Sequence, residues 1–284
     1  MPSLIRILQT TQVTVSHTFK VDEQATDAAG TVTATLKRLD GTAYASGNAT
    51  HGATGVYTFV VPPSALLDTL TLDWAGSVGG TAVTVRDFVE VVGGLYFDLA
   101  TARIQLSLSG TDWPVSALAD KRTQVEQECD AITYRSFVPR FTRVALSGND
   151  TPYLGTPHGQ LRTLRAVTVS GTAWSPADVA AVGLGEAMLV RDSGAIWPRG
   201  TRNIVAEYEY GEDYPPLEIS DKAILRLRST VSAGKSTVPE RALSFSIADG
   251  GVYRISTPSR QRTGIPDIDA VYERYTRQRR AVIA

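Results

Sequence analysis

The spacing of the apolar residues changes once in this chain of 284 residues, at Gly93-Gly94. Before that point, segments such as residues 31–37 and 55–61 alternate apolar and small polar residues, the period of a half-buried β-strand. Turn residues, among them Asp40-Gly41 and Pro62-Pro63, separate these segments. Residues 1–93 therefore predict an N-terminal all-β, immunoglobulin-like (Ig-like) sandwich, and that label rests on architecture only.

Beyond Gly94 the pattern becomes helical. Residues 95–108 and 114–137 predict two helices, the second opened by Pro114. From residue 140 the period returns to two in four segments, which indicates a small antiparallel sheet. A further helix is expected after Pro215-Pro216. Together these elements predict a helical domain with a small sheet over residues 94–234, so the expected fold class is multidomain α+β.

Residues 235–284 predict an extended C-terminal arm, too polar and too interrupted by Pro and Gly to form a core alone. The arm ends in a short helix that Pro266 opens, with Asp267 and Asp269 early and arginines late, as the helix dipole favours. Its apolar stripe includes Ile268, Val271, Tyr272 and Tyr275. Because so short a helix is marginal in isolation, the stripe must bury against its own domain or against another chain.

Composition excludes several classes of function. The chain has 43% hydrophobic and 20% charged residues and a net charge of −1, so no strong field favours nucleic acid or an acidic membrane. No window approaches eighteen consecutive apolar residues, so no transmembrane helix is expected. The single cysteine, Cys129, allows no internal disulfide, and it is expected on the buried face of a helix as a small core residue.

Signatures of catalysis are missing from the sequence. His17, His51 and His158 are scattered without the spacing of metal ligands, so each is expected on the surface or in a turn. Gly234-Lys235-Ser236 matches the end of a phosphate-binding loop, but a helix precedes it where that motif requires a strand. We expect no enzyme activity, no catalytic residue, no metal and no cofactor.

Two charged groups have simple structural explanations. Glu126, Glu128 and Asp130 lie in the middle of a predicted helix and are expected to form a solvated face. Arg140 and Arg143 are expected on an exposed strand, where they form a modest basic surface without the aromatic residues that stack on bases.

Four segments carry a resemblance to a known family, and they are residues 97–104, 196–211, 238–245 and 263–271. The sequences of these segments and their order along the chain make residues 95–284 resemble the head-to-tail adaptor (head–tail connector) proteins of long-tailed bacteriophages. The N-terminal β-sandwich is not part of the minimal pattern of that family.

The resemblance implies a structural virion protein that forms a ring, as a dodecamer, beneath the portal. Such a ring extends the DNA channel, lets packaged DNA pass without sequence-specific binding, and connects the portal protein to the next neck or tail-completion protein. The expected location is the neck of the virion, and the host cytoplasm during assembly, with no membrane contact.

The resemblance also assigns roles to residues. The expected portal-docking residues lie in the final helix, and they are Ile265, Pro266, Ile268, Val271, Tyr272, Arg274, Tyr275, Arg277, Arg279 and Arg280. The helix of residues 114–137 is expected to line or brace ring contacts through Leu118, Arg122, Val125 and Ile132. The alternative is an adhesion, carbohydrate-binding or other tail structural protein whose functional domain is the β-sandwich. An enzyme that acts on the cell wall or on a nucleotide is a third class.

Overall fold

The structure is a computed structural model that describes residues 3–191, 194–232 and 262–277, together with the backbone of residues 242–246 and 252–255. Strands account for 41% of the chain and helices for 24%. The strands are β1 Leu4–Leu8, β2 Val13–Thr18, β3 Lys20–Val21, β4 Gln24–Ala25, β5 Thr33–Arg38, β6 Ala43–Asn48, β7 Thr50–His51, β8 Val56–Val61, β9 Asp68–Val78, β10 Thr81–Val92, β11 Arg140–Gly148, β12 Tyr153–Gly155, β13 Leu161–Val169, β14 Thr172–Ala173, β15 Val182–Leu184, β16 Met188–Arg191, β17 Gly200–Tyr210, β18 Ala242–Ser246 and β19 Val252–Ile255. The helices are α1 Leu99–Leu106, α2 Val115–Thr133, α3 Pro176–Ala180, α4 Leu217–Ser232 and α5 Pro266–Tyr275.

The chain divides into two compact units, and each is discontinuous in sequence. The β-unit comprises the chain up to Gly94 together with Pro139–Gly211. The helical unit comprises Leu95–Val138 and the chain from Glu212.

The first part of the β-unit is a sandwich. One sheet has the order β1-β10-β9-β5-β6, with β1 parallel to β10 and the other neighbours antiparallel. The other sheet has the order β2-β8-β7. Leu36, Leu72 and Trp74 from the first sheet and Val15 and Tyr57 from the second are buried in one cluster. Alternate residues of each strand thus supply a shared apolar core.

The second part of the β-unit consists of a four-stranded sheet, β11-β17-β13-β14, and a three-stranded sheet, β12-β16-β15. The central strand β17 places Ile204, Ala206 and Tyr208 in the core, as its alternating sequence predicts. Trp197 is fully buried there and stacks on Trp174, with ring centroids 5.2 Å apart. Leu154 and Leu189 extend this core beneath the smaller sheet.

Buried polar contacts join the two parts of the β-unit. Glu90 at the end of β10 accepts from Arg6 Nε at 2.8 Å and lies 3.5 Å from Nη1 of Arg140 in β11. Arg165 in β13 donates to the carbonyl oxygen of Leu67 at 2.6 Å. Burial alone would raise the pKa of Glu90, but Arg140 and Arg6 outweigh burial and hold that pKa below its usual range.

The helical unit packs α2, α4 and α5 around one core. Fully buried side chains come from each of these helices, for example Leu118 from α2, Leu227 from α4 and Tyr272 from α5. Cys129 is also fully buried, as the sequence predicts. The helix α1 begins at its cap Asp98, whose side chain accepts from the backbone N–H of Thr101 at 2.9 Å.

The predicted fold class is wrong in its central element, a helical adaptor domain with a small sheet over residues 94–234. The structure is mostly β, and residues 139–211 form seven strands that belong to the β-unit rather than to a helical domain. The physical reason is the long-range ion pairing around Glu90, together with the hydrogen bond from Thr69 Oγ1 to the carbonyl oxygen of Phe141 at 3.3 Å. Contacts of this kind leave no local periodicity in the sequence.

Candidate functional site

The C-terminal helix α5 is the element to which the sequence assigns docking, and its apolar stripe is buried within its own unit. Ile268 and Tyr272 are fully buried and Val271 is 5% exposed. All three belong to the cluster that α2 and α4 complete. The sequence left open whether the stripe is buried against its own domain or against another chain, and in the structure it is buried against its own domain.

Polar contacts hold both ends of α5 to the C-terminal end of α2. The carbonyl oxygen of Ile132 accepts from the guanidinium of Arg262 at 3.1 Å, and the carbonyl oxygen of Thr133 accepts from the backbone N–H of Arg277 at 2.8 Å. The last carbonyls of a helix have no partner within the helix. The segment around α5 therefore completes the hydrogen bonding of α2.

The entry to α5 is fixed by Asp269. Its carboxylate accepts from the N–H and hydroxyl of Thr263, at 2.9 and 2.8 Å, and from the N–H of Gly264 at 3.2 Å. Gly264 adopts a φ of +80°, which a residue with a Cβ adopts only with strain. Asp269 thus fixes the turn that leads into α5, in addition to its favourable place in the helix dipole.

The other predicted docking residues lie at the surface or near it. Pro266 and Arg274 are exposed, and Ile265, Tyr275 and Arg277 are half-buried. Arg274 Nη2 lies 3.0 Å from Glu218 Oε2 of α4 in an exposed ion pair. Arg279 and Arg280 lie outside the described residues.

The predicted ring-packing residues of α2 do not form a surface. Leu118 and Val125 are almost fully buried, and Arg122 and Ile132 are each 8% exposed. Arg122 Nη1 lies within hydrogen-bond distance, 3.5 Å, of the carbonyl oxygen of Phe97. These side chains lie in the interior of the helical unit, and their role in lining or bracing ring contacts stays a prediction.

The acidic residues of α2 are a second correction. Glu126 is fully buried and accepts from the backbone N–H of Tyr96 at 2.9 Å. Asp130 accepts from the Tyr96 hydroxyl. Glu128 forms a bidentate pair with Arg226 of α4, at 2.7 and 3.0 Å. The expected solvated face is instead the polar framework that holds α2 to its neighbours.

The basic residues of the four-stranded sheet are neutralised by β17. Arg143 Nη1 lies 2.8 Å from Glu207 Oε1, and Arg165 Nε lies 2.8 Å from Glu209 Oε1 while its guanidinium stacks over Phe141. Because Glu207 and Glu209 form ion pairs with Arg143 and Arg165, these two arginines do not form a free basic surface for phosphate groups.

The histidines occupy structural positions rather than a shared site. His17 Nδ1 lies 3.1 Å from Asp87 Oδ2, to which Trp74 Nε1 also donates at 3.0 Å. His158 Nδ1 lies 2.9 Å from the Tyr208 hydroxyl. Within the described ranges, no three or more His, Cys, Asp or Glu side chains gather in a way that could hold a metal ion.

Between α4 and α5 the backbone forms a hairpin of β18 and β19, in antiparallel register from Ala242–Ile255 to Ser246–Val252. Its sheet has two strands. The helices on either side, α4 and α5, contact each other. In sequence the hairpin lies between these two helices, and it belongs to the helical unit. Gly234-Lys235-Ser236, which follows α4, lies outside the described residues.

Comparisons with known proteins give no independent identification. No protein-family model matches the chain, and no curated protein matches it. In the part of the chain that the structure describes, no helix combines the length and the apolar character needed to cross a bilayer.

Proposed function

We propose that this protein is a structural assembly protein of a tailed bacteriophage, a head-to-tail adaptor that forms a ring beneath the portal. The observation that carries the proposal is the two-stranded sheet of β18 and β19, which lies in sequence between the packed helices α4 and α5. An isolated two-stranded hairpin is marginally stable in water. We assign the free edges of this two-stranded sheet to pairing with another chain.

The proposal moves the portal contact from the face of α5 to the hairpin. The stripe of α5 is already buried, so docking through it would require the helical unit to open. A contact through the segment between α4 and α5 leaves the packing of both helices unchanged in this proposal. Residues 238–245, which include most of β18, are one of the four segments that carry the resemblance to the adaptor family, although the resemblance itself assigns docking to the final helix.

The four α2 side chains named above are buried, so we look for ring contacts elsewhere on the helical unit. Tyr214 and Leu217, three residues apart at the start of α4, are 78% and 77% exposed. Large apolar side chains exposed at neighbouring positions are suited to a protein–protein contact. We assign this corner of the helical unit to the subunit interface of the ring.

The test is mass photometry of the protein mixed with the portal protein of the same phage. The full-length chain is expected to add a ring of subunits to the portal. A variant with residues 242–255 replaced by a short Gly-Ser linker is expected to lose portal binding while keeping its folded helical unit. Circular dichroism of that variant checks that α4 and α5 remain.

Two results would contradict the proposal. If the hairpin deletion binds the portal as well as the full-length chain does, the hairpin is not the contact. If the full-length chain neither binds the portal nor self-associates, the adaptor function is wrong. Leu217→Glu serves as a separate probe, since it should weaken ring formation without disturbing the buried core.

A further inference from the structure

One edge of the sandwich in the β-unit is half open. Along one side, β10 pairs with β9 from Thr81 to Val91, whereas on the other side β1 pairs only from Phe88 to Val92. Within the described residues, no strand pairs with the outer side of Thr81–Asp87. Seven residues of strand measure about 23 Å, the length of an ordinary strand.

The backbone groups of this stretch point outward at alternate residues. The N–H of Phe88 donates to the carbonyl oxygen of Ser3, on the β1 side, at 2.8 Å. Because the direction alternates along a strand, the amides of Ala82, Thr84 and Arg86 point to the same side. All three residues are exposed. A row of such groups on an edge is a template for an added strand.

Beneath this edge, an open crevice of about 270 Å³ lies between β10 and the segment of residues 17–21. Val83 and Val85 of β10 form one wall, and His17 and Phe19 form the other. His17 is held by Asp87 at 3.1 Å and stacks on Trp74, so that wall is preformed. The crevice is therefore a mostly apolar slot that opens directly beside the unpaired backbone.

We propose that this edge is a strand-addition site that takes an extended peptide segment of a partner protein, with β-branched aliphatic residues at alternate positions. The incoming segment lies in line with β1 and pairs with the part of β10 that β1 does not cover. Its backbone pairs with Ala82, Thr84 and Arg86, and its alternate side chains enter the slot beside Val83 and Val85.

A second copy of the chain fits this site less well than a peptide does. In an edge-to-edge dimer, the valines of each β10 would remain in their own sandwich and would leave both slots unfilled. A free extended segment can supply backbone and inserted side chains together. The inference concerns the β-unit alone and stands independently of the proposed adaptor function.

The experiment uses the full-length protein, amide-resolved NMR and a synthetic probe. The probe is a blocked seven-residue peptide that alternates valine and threonine, and a peptide of the same composition with its valines grouped together is the control. We expect saturable shifts and slowed hydrogen exchange at Ala82, Thr84 and Arg86 with the alternating peptide. The control peptide should produce much weaker changes.

A pair of substitutions at one position separates backbone pairing from side-chain effects. Thr84→Pro removes the outward N–H and leaves the pairing with β9 intact, because proline is tolerated where the N–H faces away from the ladder. This variant should lose peptide binding at least tenfold. Thr84→Ala keeps the N–H and should bind like the natural chain.

Three outcomes would overturn the inference. They are the absence of saturable shifts at millimolar peptide, equal binding by Thr84→Pro, and amides at Ala82 and Thr84 that are already protected in the free protein. Protection in the free protein that rises with protein concentration would mean that a second copy occupies the edge. Protection at every concentration would mean that the chain covers the edge itself.

Discussion

The strongest test of the structure concerns the burial of α5, and Ile268→Ala is the perturbation. Ile268 is fully buried in the cluster formed with α2 and α4. The substitution removes three carbon atoms, a loss of roughly 2.4 kcal/mol at ~0.8 kcal/mol for each buried methylene. The cavity that remains adds to this cost, and buried Ile→Ala substitutions cost about 2–5 kcal/mol in total. We therefore expect the helical unit to lose about 3–4 kcal/mol of unfolding free energy.

The assay is urea unfolding followed by circular dichroism at the helix band, because the described helices other than the short α3 lie in the helical unit. Glu273→Ala, on the exposed face of the same helix, is the matched control and should change stability by less than about 0.5 kcal/mol. If Ile268→Ala unfolds like the natural chain, α5 is not part of the core. Its apolar stripe would then be free for a partner, and the docking assignment made from the sequence would be restored.

Three further substitutions test the polar framework. Glu90→Gln leaves buried guanidinium groups without their carboxylate and should cost about 3–5 kcal/mol at neutral pH. Because the pKa of Glu90 is lowered in the folded state, its stabilisation is complete above the ordinary value of 4.5 and is lost as the pH falls through the lower folded value. The urea unfolding midpoints of the natural chain and of Glu90→Gln should therefore converge in acid. Asp269→Ala removes the acceptor for the N–H groups of Thr263 and Gly264 and should cost about 1–3 kcal/mol in the same helix-band assay. An unchanged midpoint would mean that these hydrogen bonds are not formed. Arg274→Ala breaks an exposed pair with Glu218 and should cost less than about 1 kcal/mol by thermal melting, so a larger loss would show that the pair is more than a surface contact.

Elements with strong local signals could be predicted from the sequence. The helix expected over residues 114–137 is present as α2, Val115–Thr133, and the helix expected after Pro215-Pro216 begins at Leu217. Pro266 and the charges that follow it predicted a helix that is present as α5. In each case proline and a 3.6-residue period act within one segment, where sequence patterns carry the most information.

The division into units could not be predicted in the same way. The sequence predicts strands within residues 139–211. Their membership of the β-unit, however, depends on the ion pair between Arg140 and Glu90, which are fifty residues apart in the sequence. Glu126 gives a similar lesson. Its partner is the backbone N–H of Tyr96, thirty residues away, so nothing in the helix pattern distinguishes this buried acid from an exposed one. An amphipathic stripe such as that of α5 shows that a face will be buried and leaves open what buries it.

The burial of α5 also changes which experiment can locate a contact at this end of the chain. A truncation ahead of the hairpin would remove Ile268, Val271 and Tyr272 from the core and the partners of Ile132 and Thr133 from the end of α2. Loss of binding after such a truncation would then report unfolding of the helical unit as readily as loss of a contact. Replacing residues 242–255 and keeping α5 avoids this ambiguity, because the core and the cap of α2 both persist. The proposed contact at this end of the chain is therefore best tested by changing residues 242–255 and leaving α5 in place, since the apolar stripe of α5 is part of the core.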